Sequence, residues 1–455
     1  MKYKTCVIFA AAIVFLLGVA FLPAYEAIVG PTGVLLYDRE KSYDGYTLFA
    51  PMGSRTIYLI DMEGHIVHTW KTAYTPGAYA MLLENGNILM GGSLQGSPAS
   101  FGGAGGIVQE IDWDGKVVWE YKLMTEDEVQ HHCFARNPKN GNTLILAWER
   151  KSVEAFLAKG RDPKSIPVAR AGFNGKFQND FWVDFVREVN PAGETVWEWH
   201  VWDHVGPGPY QFNINYRVPD PMGSYFDWTH FNSVEYIPDT DYVLLNSRNF
   251  SEFYIVDRKT GKMIYRWGNP SAYGQGQAPS WMNNGDQKMF GNHNATPIGR
   301  NRFLVFDNGS ERPEGNRSAV IEVNAANGNI EWEYTAPSSN SFYTVRQGGA
   351  QRLPNGNTFI TSSNSGHLFE VTQDKQLVWE FVNPFTGQNE VSCYLGGGSA
   401  FNMIHRAYRY GKDYPGLQGR DLSRRIPAAK SCPEFYKLYN TESKPPAKKK
   451  VPPQR

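Results

Sequence analysis

The sequence is poor in cysteine and has no excess of charge of either sign. Of its 455 residues only four are cysteines, and 45 lysines and arginines balance 45 aspartates and glutamates. No Cys-x-x-Cys pattern occurs, so the usual sequence signal of a zinc or dithiol redox site is missing. A formal net charge of zero gives no global attraction to nucleic acid. We therefore expect neither a nucleic-acid partner nor a cysteine-based centre.

The sequence has a long apolar run at its N-terminus. Lys2 and Lys4 precede hydrophobic residues from Cys6 to about Ala24, an arrangement that predicts export. The run is long for a cleaved signal, just long enough to span a bilayer, and no clear Ala-x-Ala site follows it. We expect residues 1–28 to be a signal peptide or a membrane anchor, with a hydrophobic helix over residues 5–24. The rest of the chain is then periplasmic or otherwise extracytoplasmic.

The C-terminal region carries little signal. Cys393 and Cys432 could pair in an oxidising compartment, but their spacing alone does not establish it. Residues 444–455 form a Lys/Pro-rich tail that cannot build a core and is predicted to be disordered. We assign residues 416–455 to a C-terminal extension.

A short repeat dominates the remaining sequence. Glycine (45 residues) and the aromatics (13 Trp, 25 Tyr, 26 Phe) are abundant, which is typical of many short strands joined by tight turns. A turn residue is followed six positions later by an aromatic in six copies, namely GHIVHTW (64–70), GKVVWEY (115–121), GETVWEW (193–199), GKMIYRW (261–267), GNIEWEY (328–334) and KQLVWEF (375–381). Residues two apart share one face of a strand, so these side chains should pack against a neighbouring layer.

Each copy ends a unit of four predicted strands. An alternating strand precedes it, as in FYIVD, and a further hairpin lies upstream at turns such as that of QRLPNGNTFIT. Six units predict an all-β fold, a six-bladed β-propeller of four-stranded antiparallel blades, over residues 30–415. The first unit lacks an innermost strand, and HRAYRY (405–410) is left over, so this C-terminal strand should close the ring. An insertion at roughly 151–180 falls between the second and third strands of blade 3.

The histidines follow the blade pattern. In an antiparallel meander, the start of the first strand, the end of the second and the start of the third lie at one end of the blade. Four histidines start innermost strands in blades 3, 4, 5 and 1, and two further residues lie at the same end in blades 6 and 5. We expect these six to converge on one polar cavity at the mouth of the central channel, namely His132, His230, His293, His405, His367 and Arg312.

Recurrence of histidine argues for a shared ligand. A packing requirement would place a histidine in every blade, but blade 2 offers Ala78 and blade 6 offers Gly348 near the same place. Several imidazoles with an arginine, and no identified cluster of inward carboxylates, favour a tetrahedral oxyanion. Zinc or copper held by three or four histidines is the competing interpretation, but it would leave Arg312 beside a cation. We predict no metal and no cofactor.

Four segments in order over the C-terminal half resemble blocks of bacterial arylsulfate sulfotransferases. They are FDWTHFNSV (226–234), GNHNATPI (291–298), VFDNGSER (305–312) and SNSGHLFEV (363–371), and the closing segment IHRAYR (404–409) is also similar. Members of that family are six-bladed propellers that act in the periplasm. The separate N-terminal β-domain that some members carry has no counterpart in this sequence.

The resemblance implies a reaction. The protein would move a sulfuryl group from an aryl sulfate to a phenol by a ping-pong mechanism through a sulfohistidine, without a nucleotide sulfate donor. Carried over to this sequence, His367 is the nucleophile, and His230, His293 and Arg312 bind the sulfuryl group and stabilise the transition state. We further predict that His132, His405, Asn308 and Arg248 bind substrate. The partners are then the two small molecules and, if its N-terminal segment is uncleaved, the membrane; a homodimer is left open.

Two functions of other classes stay open at this point. A quinone-dependent dehydrogenase also has a Trp-rich propeller, but it needs a calcium-binding carboxylate set, which we do not find in the sequence. A non-catalytic scaffold of the WD-repeat type would display its conspicuous residues on an exposed face rather than at the channel mouth.

Overall fold

The computed structural model describes residues 32–172, 175–216, 226–338, 341–385, 402–423 and 426–427. The predicted N-terminal segment, Cys393, Cys432 and the C-terminal tail lie outside these residues. Within them, no helix has the length and apolar character needed to cross a membrane. Cys133 is a buried free thiol.

Six antiparallel sheets form the predicted propeller, and each sheet is one blade. Strands are numbered along the chain. Blade 1 contains β2 (Gly45–Pro51), β3 (Thr56–Ile60) and β4 (His65–Lys71), and blade 2 contains β5 (Pro76–Leu82), β6 (Ile88–Ser93), β7 (Gly106–Ile111) and β8 (Val117–Lys122). Blade 3 contains β9 (Glu128–Arg136), β10 (Thr143–Lys151), β13 (Phe181–Val189) and β14 (Thr195–His200), and blade 4 contains β15 (Phe231–Ile237), β16 (Tyr242–Ser247), β17 (Glu252–Asp257) and β18 (Met263–Trp267). Blade 5 contains β19 (His293–Gly299), β20 (Arg302–Asp307), β21 (Ala319–Asn324) and β22 (Asn329–Tyr334), and blade 6 contains β23 (Gly349–Arg352), β24 (Thr358–Ser362), β25 (His367–Val371) and β26 (Leu377–Val382).

The ring is closed by the last long strand, β27 (Ile404–Gly411), as predicted. It is the innermost strand of blade 1 and pairs antiparallel with β2, so that Gly45 faces Gly411 and Pro51 faces Ile404. Around the ring, the innermost strand of every blade contacts that of the next. Two short strands extend outer edges: β1 (Gly33–Tyr37) pairs with β26, and β28 (Ile426–Pro427) pairs with β4.

Tryptophans of the repeat make hydrogen bonds between neighbouring blades. The indole Nε1 of Trp199 donates to the carbonyl of Gly261, and that of Trp267 donates to the carbonyl of Gly328, both at 2.9 Å. The acceptors lie in the outer hairpin turn of the next blade, where both glycines adopt positive φ. Glycine takes this conformation without strain. Trp379 makes the same bond across the ring closure, to the carbonyl of Met62 at 2.9 Å.

Burial follows the layering of each blade. Every residue of β2, β3 and β7 is buried, whereas β8, an outermost strand, is largely exposed. The hydrophobic core therefore lies between blades and is formed mainly by the inner three strands, to which outermost strands add Trp70, Trp199 and Trp379. Inner strands held in this way provide a rigid frame around the axis.

The blade 3 insertion has structure of its own. Between β10 and β13 it contains helix α1 (Val153–Ala158), a 3-10 helix (Pro163–Ser165) and the two-residue strands β11 (Arg170–Ala171) and β12 (Phe177–Gln178). Phe156 of α1 stacks on Phe181 at 3.9 Å between ring centroids and packs edge-on against Trp228. This aromatic contact fixes the insertion to the blade. Further 3-10 helices follow in the chain at Val201–His204, Pro270–Tyr273, Ser363–Ser365 and Pro415–Leu417.

Substitution of Gly45, which lies where β2 pairs with the closing strand, tests the ring closure. A Cβ at this position would lie 2.1 Å from the carbonyl oxygen of Tyr410 on the closing strand. We expect Gly45→Ala to lower the free energy of unfolding by at least about 2 kcal/mol, because main chain must move. Urea unfolding measures this. Gly102→Ala is the matched control, since a Cβ there has no neighbour within 4 Å; equal stability of the two variants would contradict the role of this pairing.

Candidate active site

The innermost strands are irregular where they meet the channel mouth. In β15 and β19 the ladder shifts at Asn232 and at Asn294, and in β27 His405 and Arg406 together face one residue of β2. The backbone of His132, His230 and Asn294 is left-handed, with φ of 44°, 44° and 46°. Bulges re-aim side chains, so these irregularities direct histidines toward the axis.

Four of the predicted site histidines meet there, and we call them the histidine cluster: His132, His230, His293 and His405. The ring of His132 lies 4.7 Å from that of His230 and 5.8 Å from that of His405, measured between centroids. The rings of His405 and His293 are 6.4 Å apart. Four blades thus bring four imidazoles within one small volume.

His230 is paired with a buried carboxylate. Its Nδ1 contacts Oδ2 of Asp227, three residues earlier in the chain. Burial raises the pKa of Asp227, although His230 opposes this. The Asp227 carboxylate fixes a proton on Nδ1 and leaves Nε2 to exchange one. This arrangement suits a general acid or base.

His132 ends a second chain of polar groups. Oδ1 of Asp184 lies 2.8 Å from Nε2 of His131, and Nδ1 of His131 lies 2.8 Å from Nδ1 of His132. Asp184 is itself held by Thr229 and by the amide of Phe231. With the His131 proton on Nε2, Nδ1 of His131 accepts from Nδ1 of His132. The lone pair of a neutral His132 is then on Nε2.

His293 has a defined tautomer. Its Nδ1 lies 2.7 Å from Oδ1 of Asn308, and its Nε2 accepts the backbone N–H of Gln347 at 3.1 Å. The amide nitrogen of Asn308 donates to the carbonyls of Thr344 and Gln347, both at 2.8 Å, which fixes its orientation. His293 therefore carries its proton on Nδ1 and its lone pair on Nε2.

The cluster is held uncharged at three of its four positions. Burial, and then the neighbouring cationic groups, keep the pKa of His132, His293 and His405 well below the usual histidine range. Arg248 is one of the groups that lower the pKa of His293. Its backbone N–H donates to the carbonyl of His230 at 3.0 Å, which places Arg248 directly beside the cluster.

His367 and Arg312 contact groups outside the histidine cluster. Nε2 of His367 is 2.8 Å from Oε1 of Glu380 and its ring contacts Phe369, and both of these partners are in blade 6. Arg312 pairs with Asp307 and lies over the ring of Phe290 at 4.6 Å. Burial raises the pKa of Asp307 to about 6 against the effect of Arg312. The start of a third strand is farther from the axis than the start of a first strand, which accounts for the position of His367.

Asn308 and Arg248 differ from one another in role. Both were predicted to bind substrate. The amide of Asn308 is buried and fully engaged by His293, Thr344 and Gln347, so it positions His293 instead. Arg248 is only partly buried, and its guanidinium makes one hydrogen bond, to Asn249 at 2.9 Å.

The sequence interpretation missed the carboxylates behind the histidines. Asp227 lies in the segment that carries the family resemblance, three residues before His230. This spacing could have predicted the contact between the two side chains. Asp184 and His131 lie on the third and first strands of blade 3, and no spacing in the sequence predicts that they meet. Among the described residues, no group of three or more histidine, cysteine, aspartate or glutamate side chains has the geometry of a metal site.

The neutrality of His405 can be measured through stability. A histidine of the unfolded chain takes up a proton below about pH 6.5, whereas folded His405 does not, so stability falls on acidification by about 1.4 kcal/mol per pH unit for one such group. Between about pH 6.5 and 5.5 the free energy of unfolding should therefore fall less in His405→Gln than in the wild type, by up to about 1.4 kcal/mol. Urea unfolding at the two pH values measures the difference.

His200→Gln is the control for this experiment. Burial lowers the pKa of His200, but the ion pair with Glu149 outweighs it and raises the pKa overall. His200 therefore contributes stability below about pH 6.5 that is lost at higher pH. His200→Gln should therefore change the pH dependence of the free energy of unfolding only above about pH 6.5. If the free energy of unfolding of His405→Gln fell between about pH 6.5 and 5.5 as steeply as that of the wild type, this would contradict a neutral His405.

Comparison with solved structures finds other proteins of low identity. A protein of unknown function from Bacteroides caccae is 13% identical, with 80% of this chain and 98% of that chain covered and a TM-score of 0.47. Virginiamycin B lyase from Staphylococcus aureus is 12% identical, with coverage of 79% and 86% and a TM-score of 0.39. AztD from Citrobacter koseri is 10% identical, with coverage of 81% and 99% and a TM-score of 0.38.

Sequence comparison is more specific. No curated protein matches the chain significantly. The family model Arylsulfotransferase (ASST) matches residues 168–397, which is half of the chain. The match includes His230 with Asp227, His293 with Asn308, and Arg248. The chain therefore belongs to the arylsulfotransferase family.

Proposed function

We propose that the protein transfers a sulfuryl group from an aryl sulfate to a phenol at the histidine cluster, through a covalent intermediate on His293. The single observation that carries this proposal is the fixed tautomer of His293. A nucleophilic imidazole must be neutral and must present a lone pair. Asn308 holds the Nδ1 proton, so the lone pair is on Nε2, and the low pKa keeps the ring neutral.

The same criterion disfavours His230 and His367 as nucleophile, whereas the neutral His132 also meets it. The charge of Arg248 beside His293 favours His293 over His132 for attack on a sulfate ester. Nδ1 of His230 is paired with Asp227, an arrangement that suits proton transfer. His367, the nucleophile implied by the family resemblance, is next to Glu380 and has no ring partner in the cluster among the described residues. We therefore assign the attack on sulfur to His293 rather than to His367.

Binding of the sulfuryl group falls to Arg248 and to a backbone amide. The guanidinium beside His293 supplies positive charge and planar donors for sulfate oxygens. When Nε2 of His293 bonds to sulfur, the Gln347 N–H loses its acceptor. It then lies next to the sulfuryl oxygens and can donate to one of them. A donor preorganised in this way favours the transition state over the ground state.

Proton transfer falls to His230. Nε2 of His293 attacks sulfur as the bond from sulfur to the aryl oxygen breaks, and protonated His230 gives its Nε2 proton to the departing phenolate. The product phenol leaves and His293 carries the sulfuryl group. An acceptor phenol then gives its proton to neutral His230 and attacks sulfur, and the bond between nitrogen and sulfur breaks. Asp227 stabilises the imidazolium form of His230 in both half-reactions.

His132 and His405 form the uncharged wall of the site. Each is buried and neutral, so the positive charge beside the cluster lies on Arg248, on Arg406 next to His405 and, in its acid form, on His230. The chain from Asp184 through His131 holds His132 in one tautomer. Water is a poor competitor in such a buried site, and so transfer to phenol is favoured over hydrolysis.

The nucleophile can be identified by trapping. Incubation with 4-nitrophenyl sulfate without acceptor should give an acid-labile sulfohistidine that mass spectrometry maps to His293. We expect His293→Ala to abolish the adduct and to lower kcat at least about 10³-fold. His367→Ala is the comparison variant and should retain both adduct and turnover. A sulfuryl group mapped to His367 would restore the assignment implied by the resemblance.

The role of Asp227 can be read from the leaving group. In Asp227→Asn, protonation of the departing oxygen is impaired, so kcat/KM for phenyl sulfate should fall about 10²–10³-fold. For 4-nitrophenyl sulfate, whose phenolate leaves without protonation, the decrease should be less than about 10-fold. Asp239→Asn, an exposed carboxylate of the same blade, controls for charge. Equal losses on both substrates would exclude general-acid catalysis by His230.

A further inference from the structure

Arg406 is a buried cation on the axis of the propeller. It lies on β27, next to His405, and is 1% exposed. Nη1 is 3.8 Å from Sγ of Cys133, and Nη2 donates to the carbonyl of Asn232 at 3.3 Å. The guanidinium carbon is 4.7 Å from the ring centroid of Tyr79. These contacts come from the innermost strands of blades 2, 3 and 4, so the side chain extends from blade 1 across the channel.

Two other buried arginines have carboxylate partners. On the same strand, Nη1 of Arg409 lies 3.3 Å from Oε2 of Glu370. In blade 4, Nε of Arg266 donates to Oε1 of Glu252 at 2.9 Å. Arg406 has no such partner within the part of the chain that the structure describes. A buried cation without a counter-ion costs several kcal/mol, so this position calls for a negative charge.

Two unsatisfied polar atoms belong to the two consecutive residues at this position. Nε of Arg406 and Nε2 of His405 are both buried without a hydrogen-bond partner. The pairing of β27 with β2 opens into a bulge at these two residues. Buried donors are rarely left unsatisfied. An acceptor between blade 1 and the channel axis would satisfy Arg406 and, in its Nε2–H tautomer, His405.

Glu235 is the nearby carboxyl group. It lies further along β15, it is partly accessible on the channel wall, and burial raises its pKa to about 7 against the effect of Arg406. It makes no ion pair with Arg406 among the described contacts. The pKa of Glu235 therefore depends on the charge of Arg406, although the two side chains form no direct ion pair among the described residues.

We propose that Arg406 and His405 form an anion site on the channel axis, distinct from Arg248 and His293, that takes a small inorganic anion such as a halide or sulfate. The anion is the counter-ion of Arg406. It completes the inner wall of the cavity that contains the histidine cluster and offsets the field of Arg406 on His405. The site does not depend on sulfuryl transfer.

Bromide is the probe for this site, because it can be located directly. In crystals of the full chain soaked in sodium bromide, we expect an anomalous peak in hydrogen-bond contact with Nε of Arg406. In solution, the melting temperature of the wild-type protein should rise by a few degrees as bromide saturates the site. Sodium sulfate, titrated separately, tests whether the larger anion also fits.

Three variants separate this site from the catalytic one. Arg406→Met should lose the bromide-dependent rise and, because the unpaired charge is gone, should melt at or above the wild type at low salt. Arg248→Met should retain the rise. Arg406→Lys keeps the charge and should respond to bromide with lower affinity, which covers the case in which Arg406→Met does not fold.

Two outcomes would overturn the proposal. The first is a bromide response that persists in Arg406→Met, or an anomalous peak confined to other residues. The second is a wild-type protein that does not respond to bromide while Glu235→Gln is strongly destabilised, which would make Glu235 the counter-ion. Loss of sulfuryl transfer in the His293 variants affects neither result, so this proposal and the proposed function can fail separately.

Discussion

The pairing of β27 with β2 is the interaction on which the rest of the structure depends. It joins strands more than 350 residues apart in the sequence, and without it blade 1 would expose an unpaired inner edge. The same strand carries His405 and Arg406 to the axis. Closure of the ring and completion of the cavity are therefore one event, and a chain that had not closed would lack one wall of the site.

The fold was predictable because the repeat records a periodic interaction. In three copies an indole six residues after a turn donates to the turn of the next blade, as Trp199 does to Gly261, so spacing in the sequence reflects geometry between blades. The start of an innermost strand is equally periodic. Its histidines could therefore be assigned to one cavity from the sequence, and His132, His230, His293 and His405 do meet there.

The rest of the site was not predictable from spacing. His367 is a conspicuous histidine in a segment that resembles the family, but it begins a third strand and contacts Glu380 instead. Arg312 and Arg248 each follow a second strand, and only coordinates show that the first pairs with Asp307 while the second lies beside His293. Asp184 reaches His131 from the third strand to the first strand of the same blade. Such contacts depend on side-chain direction and on bulges, which short motifs do not encode.

The groups that contact His230 and His293, more than the imidazoles themselves, distinguish the two residues chemically. An imidazole beside a carboxylate keeps a proton and can pass it on, whereas an imidazole held by an amide oxygen and buried among cations stays neutral and keeps a lone pair. The Asp227 carboxylate lies behind His230, and the Asn308 amide oxygen lies behind His293. Under the proposed function this difference assigns proton transfer to His230 and attack on sulfur to His293. The residue behind the imidazole would then select the nucleophile, which makes Asn308 as decisive as His293.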